Sequence, residues 1–349
     1  MRFSEMAMIT EAPSPAQKSS FSPVLDVQDL VVEFRQQDSV VRAVNHVSLS
    51  VRQGETLGIV GESGSGKSVF CRTILRLLPS PPAFIRSGRI IFGGRDLLTL
   101  SEAEMRQVRG AGIAMIFQNP MNALNPVWPV GDQVSEGQRV HQRLGWRAAR
   151  ARAIELLRKV GIPSPELRVD EYPHQWSGGM AQRAVIAMAI SGGPKLILAD
   201  EPTTALDVTI QDQILALLMD LQEVTGTTLI LVSHDMAVVA ETCDRVAVMY
   251  AGRIVELAPT AGIFRRPRHP YSLGLMRSVP RIDGAAQRLE PIPGQPPNLS
   301  SLPPGCPFAP RCRFAAAPCR VADIELREIA PGHFSACLFP DLVDGDTVR

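Results

Sequence analysis

The sequence predicts an α/β protein in which a mostly parallel sheet carries helices, with an inserted helical subdomain and an irregular, cysteine-containing C-terminal extension. Three observations predict it. From Val24 to about Pro259, short apolar runs alternate with amphipathic helical stretches. Between Pro120 and about Ser191 the strand signal disappears and helical periodicity takes over. Proline then crowds the end of the chain: 15 of the 29 prolines lie from Pro259 onward, and regular periodicity fades with them.

The elements follow in order. Residues 1–22 are rich in Ser, Pro and Ala and read as a flexible tail. An α/β domain is expected over 23–259, its helical subdomain over about 120–191, and the extension over 260–349. Within the domain, LGIV (57–60), IAMIF (113–117), LILAD (196–200) and TLILV (228–232) read as buried strands, because a parallel sheet covered on both faces needs unbroken apolar runs. Thr209 to Glu223 places Ile210, Ile214, Leu217, Leu218 and Leu221 on one helical face, suited to covering that sheet. PIPGQPPNLSSLPPGCPFAP, in the extension, cannot sustain long helices or central strands.

Composition excludes some functions. The 349 residues carry 36 Lys and Arg against 35 Asp and Glu, a net +1, so no global basic field recruits nucleic acid. Aromatic residues at 5% leave little for base stacking. No apolar run reaches the roughly 20 residues that span a bilayer. Glu5 and Glu11 interrupt the start where a signal peptide needs an apolar stretch. A cytosolic chain is expected, unless something else holds it at a membrane.

The strongest local signal is Gly61-Glu62-Ser63-Gly64-Ser65-Gly66-Lys67-Ser68, a GxxxxGK[ST] match between a strand and a helical run from Ser68 to Leu78. Its glycines let backbone N–H groups approach phosphate oxygens, and the helix N-terminus adds its positive end. Lys67 is then the cation on the β- and γ-phosphates and the Ser68 hydroxyl a Mg²⁺ ligand. The apolar strand ending in Asp200-Glu201 lies 133 residues after Lys67. In a phosphate-loop enzyme Asp200 holds Mg²⁺ and Glu201 orients or deprotonates the attacking water. His234, just past the last strand, lies where a γ-phosphate sensor sits, although a lone strand-end histidine is more often structural.

Trp176-Ser177-Gly178-Gly179-Met180-Ala181-Gln182-Arg183, with Ser177 placed 23 residues before Asp200, resembles the signature motif of ABC-transporter ATPases. The resemblance covers about residues 24–258. It implies that Ser177, Gly178 and Gly179 meet the γ-phosphate of an ATP held by a second ATPase subunit, and that Gln118 contacts Mg²⁺ and water and couples to a membrane subunit. It also implies that Asp207, in Thr204-Ala205-Leu206-Asp207, crosses the dimer interface, and that His234 is the switch histidine. Phe34 falls where the family has an adenine-stacking aromatic, with an ordinary strand-core role equally open. Trp176 stands where Leu is commonest and Met180 where Gln is frequent. Neither change removes Ser177 or Gly179.

Three segments resemble the oligopeptide, dipeptide and nickel importer branch: Asn119 to Pro126, Arg268 to Ser272, and Pro303 to Cys312 leading into Cys319 and Cys337. The C-x5-C-x6-C-x17-C spacing lacks the paired knuckles of a zinc ribbon. Four thiolates on a proline-stiffened loop can hold an iron–sulfur cube. The resemblance implies a [4Fe–4S] cluster on Cys306, Cys312, Cys319 and Cys337, with reduced thiols and no metal as the alternative. The expected protein is therefore an ATP- and Mg²⁺-dependent hydrolase on the cytoplasmic face of the inner membrane, energising peptide import. Its expected partners are two transmembrane permease subunits, a second ATPase (itself or a paralogue) and, indirectly, a solute-binding protein. Nickel or another small solute, a soluble ABC ATPase and a redox-sensing binding module remain as alternatives.

Overall fold

The structure is a computed structural model that describes residues 23–36, 39–204, 206–278 and 290–346. The expected tail, 1–22, and Ala205 lie outside the described residues. From the N-terminal side, β1 (Leu25–Gln36) and β2 (Ser39–Val51) pair antiparallel. In β2, Val47, Leu49 and Val51 are buried while His46, Ser48 and Ser50 are exposed, the two-residue period of a sheet with one wet face. β3 (Thr56–Val60) is buried throughout and leads through the glycine-rich loop into α1 (Lys67–Ile74). α1 stops four residues short of the expected Leu78, because Arg76 turns into the left-handed region (φ 53°) ahead of Pro79.

β4 (Ala83–Phe92) and β5 (Arg95–Asp96) return to the first ribbon. α2 (Glu102–Val108), opened by a reciprocal cap between Ser101 and Glu104, precedes β6 (Ile113–Ile116). Only helices follow until Ser191: α3 (Pro120–Ala123), α4 (Val130–His141), α5 (Trp146–Lys159), α6 (Pro165–Arg168) and α7 (Gly178–Ser191). The chain then alternates β7 (Leu196–Asp200), α8 (Val208–Thr225), β8 (Thr228–Ser233), α9 (Met236–Thr242) and β9 (Arg245–Tyr250). β10 (Arg253–Pro259), α10 (Thr260–Arg265), α11 (Pro270–Arg277), β11 (Arg327–Ala330) and β12 (His333–Ser335) complete the described chain.

Two sheets result, ordered β2-β1-β4-β5 and β11-β12-β10-β9-β3-β8-β7-β6. The first is antiparallel; in the second the run from β9 to β6 is parallel, and β10, β12 and β11 are antiparallel. One apolar core, with Leu25, Val44, Phe70, Ile90 and Ile230, joins the two sheets and α1. A second, with Leu157, Ile186, Leu218, Tyr250, Tyr271 and Phe308, runs from the helical layer to the extension. The extension is thus more than an irregular tail: β12 pairs with β10 and lengthens the main sheet. Runs of three and four residues are too short to carry a readable period.

Candidate functional site

Strand register builds the site. Val60 pairs with Ser233, Asp200 with Val232 and Ala199 with Ile116, so the C-terminal ends of β3, β8, β7 and β6 finish at one edge. The residues that follow those strands meet there, which is where ligands bind in parallel α/β sheets.

The loop after β3 is held from both sides. Gly66 has φ 105°, and a Cβ there would lie 2.2 Å from the Ala43 carbonyl oxygen; at Gly61 it would lie 2.1 Å from that of Met249. No side chain fits either position. Ser63 and Gly64 form the exposed tip, whereas Ser65 is buried. Lys67 Nζ donates to the carbonyl oxygens of Gly61 (2.7 Å) and Glu62 (3.0 Å). Burial lowers the Lys67 pKa, against the opposing pull of Glu201 and Asp200.

At the first turn of α1, Ser68 Oγ donates to Asp200 Oδ1 at 2.8 Å. Asp200 is 1% exposed, and burial raises its pKa. Its Oδ2 is buried and has no hydrogen-bond partner among the described residues. A buried carboxylate oxygen left open beside a hydroxyl suits a hard cation, so Ser68 and Asp200 fit Mg²⁺.

Glu201 has φ 49°, an uncommon backbone conformation for a non-glycine residue. Its N–H donates to Val232 O at 3.1 Å. Its Oε2 accepts from Gln118 Nε2 and Thr204 Oγ1, each at 3.0 Å, and lies 3.4 Å from His234 Nδ1. Gln118 and His234, 83 and 33 residues away in sequence, thus converge on the carboxylate expected to handle water. Thr204 was not assigned to this cluster from sequence; its place three residues after Glu201, in a turn, is the signal that could have found it.

Other expected residues lie elsewhere. Ser177 caps α7, accepting from the Met180 N–H at 3.3 Å. A Cβ on Gly178 would touch Leu206, and one on Gly179 would touch Ile210. Asp207 is exposed and precedes α8 without a capping bond from its side chain. Among the described residues, none of these four bonds to Lys67, Asp200 or Glu201. Phe34 lies in β1, packed at the edge of the core between the sheets.

The four cysteines of the extension line a single small pocket of about 20 Å³, together with His269, Phe308, Phe314, Ile324 and Phe339. The Cys306 N–H donates to Cys319 O at 2.8 Å, fixing two of them across the loop. Burial pushes the Cys306 and Cys312 thiols up and that of Cys337 to about 12. Among the described residues, no group of three or more His, Cys, Asp or Glu is close enough to hold a single metal ion. Four thiols lining one largely apolar pocket offer the donor type of an iron–sulfur cluster, without forming a metal-binding group among the described residues.

Known proteins resemble this chain in sequence and fold. Residues 44–204 match the ABC transporter family, and residues 255–319 match the C-terminal region of oligopeptide/dipeptide transporters. A probable peptide ABC transporter ATP-binding protein of Sinorhizobium fredii is 54% identical over 315 residues, covering 90% of this chain and 94% of its own. The oligopeptide transport ATP-binding protein OppD of Bacillus subtilis is 52% identical over 293 residues, covering 84% and 82%. Among solved structures, the dimeric ATP-binding cassette MJ0796, in a post-hydrolysis state with ADP and phosphate, superposes with a TM-score of 0.61 at 27% identity, over 68% of this chain and 98% of that one.

Proposed function

The chain belongs to the ATP-binding subunits of ABC transporters and carries the C-terminal region of their oligopeptide/dipeptide branch, and from that premise we propose that it hydrolyses ATP to drive peptide import across the inner membrane. The observation that carries this reading is one chain joining an intact hydrolytic cluster around Glu201 to that extension.

The proposed chemistry uses residues already placed. The N–H groups of the 61–68 loop and the start of α1 bind the phosphates, and Lys67 exchanges the Gly61 and Glu62 carbonyls for phosphate oxygens. Ser68 and Asp200 would hold Mg²⁺, which neutralises charge developing on the transferred phosphoryl group. Glu201 orients water and takes its proton, with Gln118, Thr204 and His234 fixing the carboxylate. Ser177, Gly178, Gly179 and Asp207 serve the site of a second ATPase subunit, and Phe34 supports the adenine side.

The permeases dock on the helical layer that follows Gln118, where Met121 and Trp128 are exposed and Val127, Leu167 and Tyr172, also exposed, line one hollow. No helix among the described residues is long and apolar enough to cross a membrane; the family reading is what places the chain at the cytoplasmic face, held by those partners. Affinity capture of Glu201→Gln from solubilised membranes with Mg-ATP tests this. Two multi-span proteins, with or without a second ATPase, are expected; only soluble partners would overturn the importer reading.

Cys306, Cys312, Cys319 and Cys337 would hold a [4Fe–4S] cluster, which could supply one-electron redox chemistry or a structural clamp. Thiols pushed up by burial stay protonated at neutral pH unless a metal takes the proton's place. Iron and sulfide near four each per chain are expected after anaerobic purification. Colourless, iron-free protein would leave the cysteines as plain thiols.

A further inference from the structure

Glu62 occupies a position that the phosphate-loop pattern leaves free, yet both of its polar ends are taken by the C-terminal extension. Its carboxylate receives two hydrogen bonds from Arg311, Nη1 to Oε2 at 2.6 Å and Nη2 to Oε1 at 2.9 Å, across 249 residues of sequence. Its backbone N–H donates to the Tyr271 hydroxyl at 2.7 Å. Arg311 is itself immobilised. Its side chain is 5% exposed, Nε donates to Pro293 O at 2.9 Å, and the guanidinium lies 5.8 Å from the ring centres of Tyr250 and Phe308. Pro296, Pro297 and Leu299 line a small pocket with Glu62, Ser63, Gly64 and Ser65.

We propose that Arg311 and Tyr271 are positioning residues for ATP, acting through Glu62 to hold the phosphate loop in its binding shape. Neither reaches the phosphates. A bidentate Arg–carboxylate pair fixes orientation as well as distance. With the carboxylate and the N–H of Glu62 both anchored, the first half of the loop cannot rotate freely. Because the Glu62 carbonyl also accepts from Lys67, the same anchor sets the position from which that lysine reaches the nucleotide. A loop ordered beforehand loses less entropy when it binds. The contact is equal in ground and transition states, so removing it raises KM and leaves kcat in place.

The inference rests on the ATPase reading, and the test separates the two. Full-length protein carrying Glu62→Gln, Arg311→Met or both is compared with wild type and Lys67→Ala, for ATP dissociation constant and steady-state hydrolysis. Each single change is expected to raise Kd and KM about tenfold with kcat within twofold, and the double change to be no worse than either single one. Arg311→Lys should recover part of the loss, and Tyr271→Phe should raise KM about threefold. Global damage would instead lower kcat at constant KM. If Arg311→Met does not fold, Glu62→Gln, nearly isosteric, carries the same requirement. Wild-type KM in Glu62→Gln, a fall in kcat alone, or additive single effects would overturn the inference. Such a result with active wild type and inactive Lys67→Ala keeps the ATPase reading; wild-type protein that neither binds nor hydrolyses ATP removes that reading instead.

Discussion

Thr204 and Gln118 donate to the same oxygen of Glu201, and the Glu201 backbone is held in the left-handed region by its own N–H bond to Val232. A carboxylate held by two neutral donors keeps its aim towards the water it is to act on. Removing one donor costs orientation, not the base itself. Thr204→Val, which keeps shape and deletes the hydroxyl, should lower kcat about tenfold with KM for ATP near its original value. A kcat within twofold of wild type would make the Thr204 contact incidental. Rapid-quench measurement of phosphate release is the suitable readout, since it isolates the hydrolytic step.

The elements of the extension are docked by one buried carboxylate. Glu256, in β10, accepts from the backbone N–H groups of Arg268 (2.6 Å) and His269 (2.9 Å) ahead of α11, and lies 2.7 Å from His333 Nε2 in β12. His269 is buried, its Nδ1 accepts from the Tyr271 N–H at 3.1 Å, and burial lowers its pKa to about 3. In the unfolded chain the same imidazole titrates near 6.5. Above that value both states are neutral and the group contributes nothing to pH dependence. As pH falls from about 6.5 towards about 3, the unfolded state binds a proton that the folded state refuses. Stability is therefore lost by about 1.4 kcal/mol per pH unit across that window. Denaturant titrations at pH 7, 6 and 5 should show a falling midpoint that is shallower in His269→Gln. Equal slopes in both proteins would assign the acid sensitivity to other groups.

At the scale of the whole molecule, the proposed function divides the site residues between two groups that do not meet within one chain. Lys67, Asp200, Glu201, Gln118 and His234 gather at the strand ends, while Ser177 is exposed at the start of α7. In an isologous pair each phosphate loop would face the other chain's Ser177. Lys67→Ala and Ser177→Arg should each be inactive alone as homodimers. Mixed one to one, they should regain up to about a quarter of wild-type ATPase activity, because half the dimers then contain one complete site. No recovery on mixing would exclude the homodimer and favour pairing with a related second ATPase.

Contiguous features were readable before any folding. Gly61 to Ser68 is one unbroken loop whose backbone N–H groups do the binding, and β3, β6, β7 and β8 are unbroken apolar runs, so residue order alone carries both. The antiparallel β2-β1-β4-β5 sheet and the short strands of the extension were harder, since register shifts in β1 and runs of three or four residues blur the two-residue period. What sequence order could not supply was which side chains pair across long separations. Glu62 with Arg311 and Glu256 with His333 are 249 and 77 residues apart. Such pairs follow no local period; they exist because sheet register and the packing of the extension bring distant strand ends and loops to one edge.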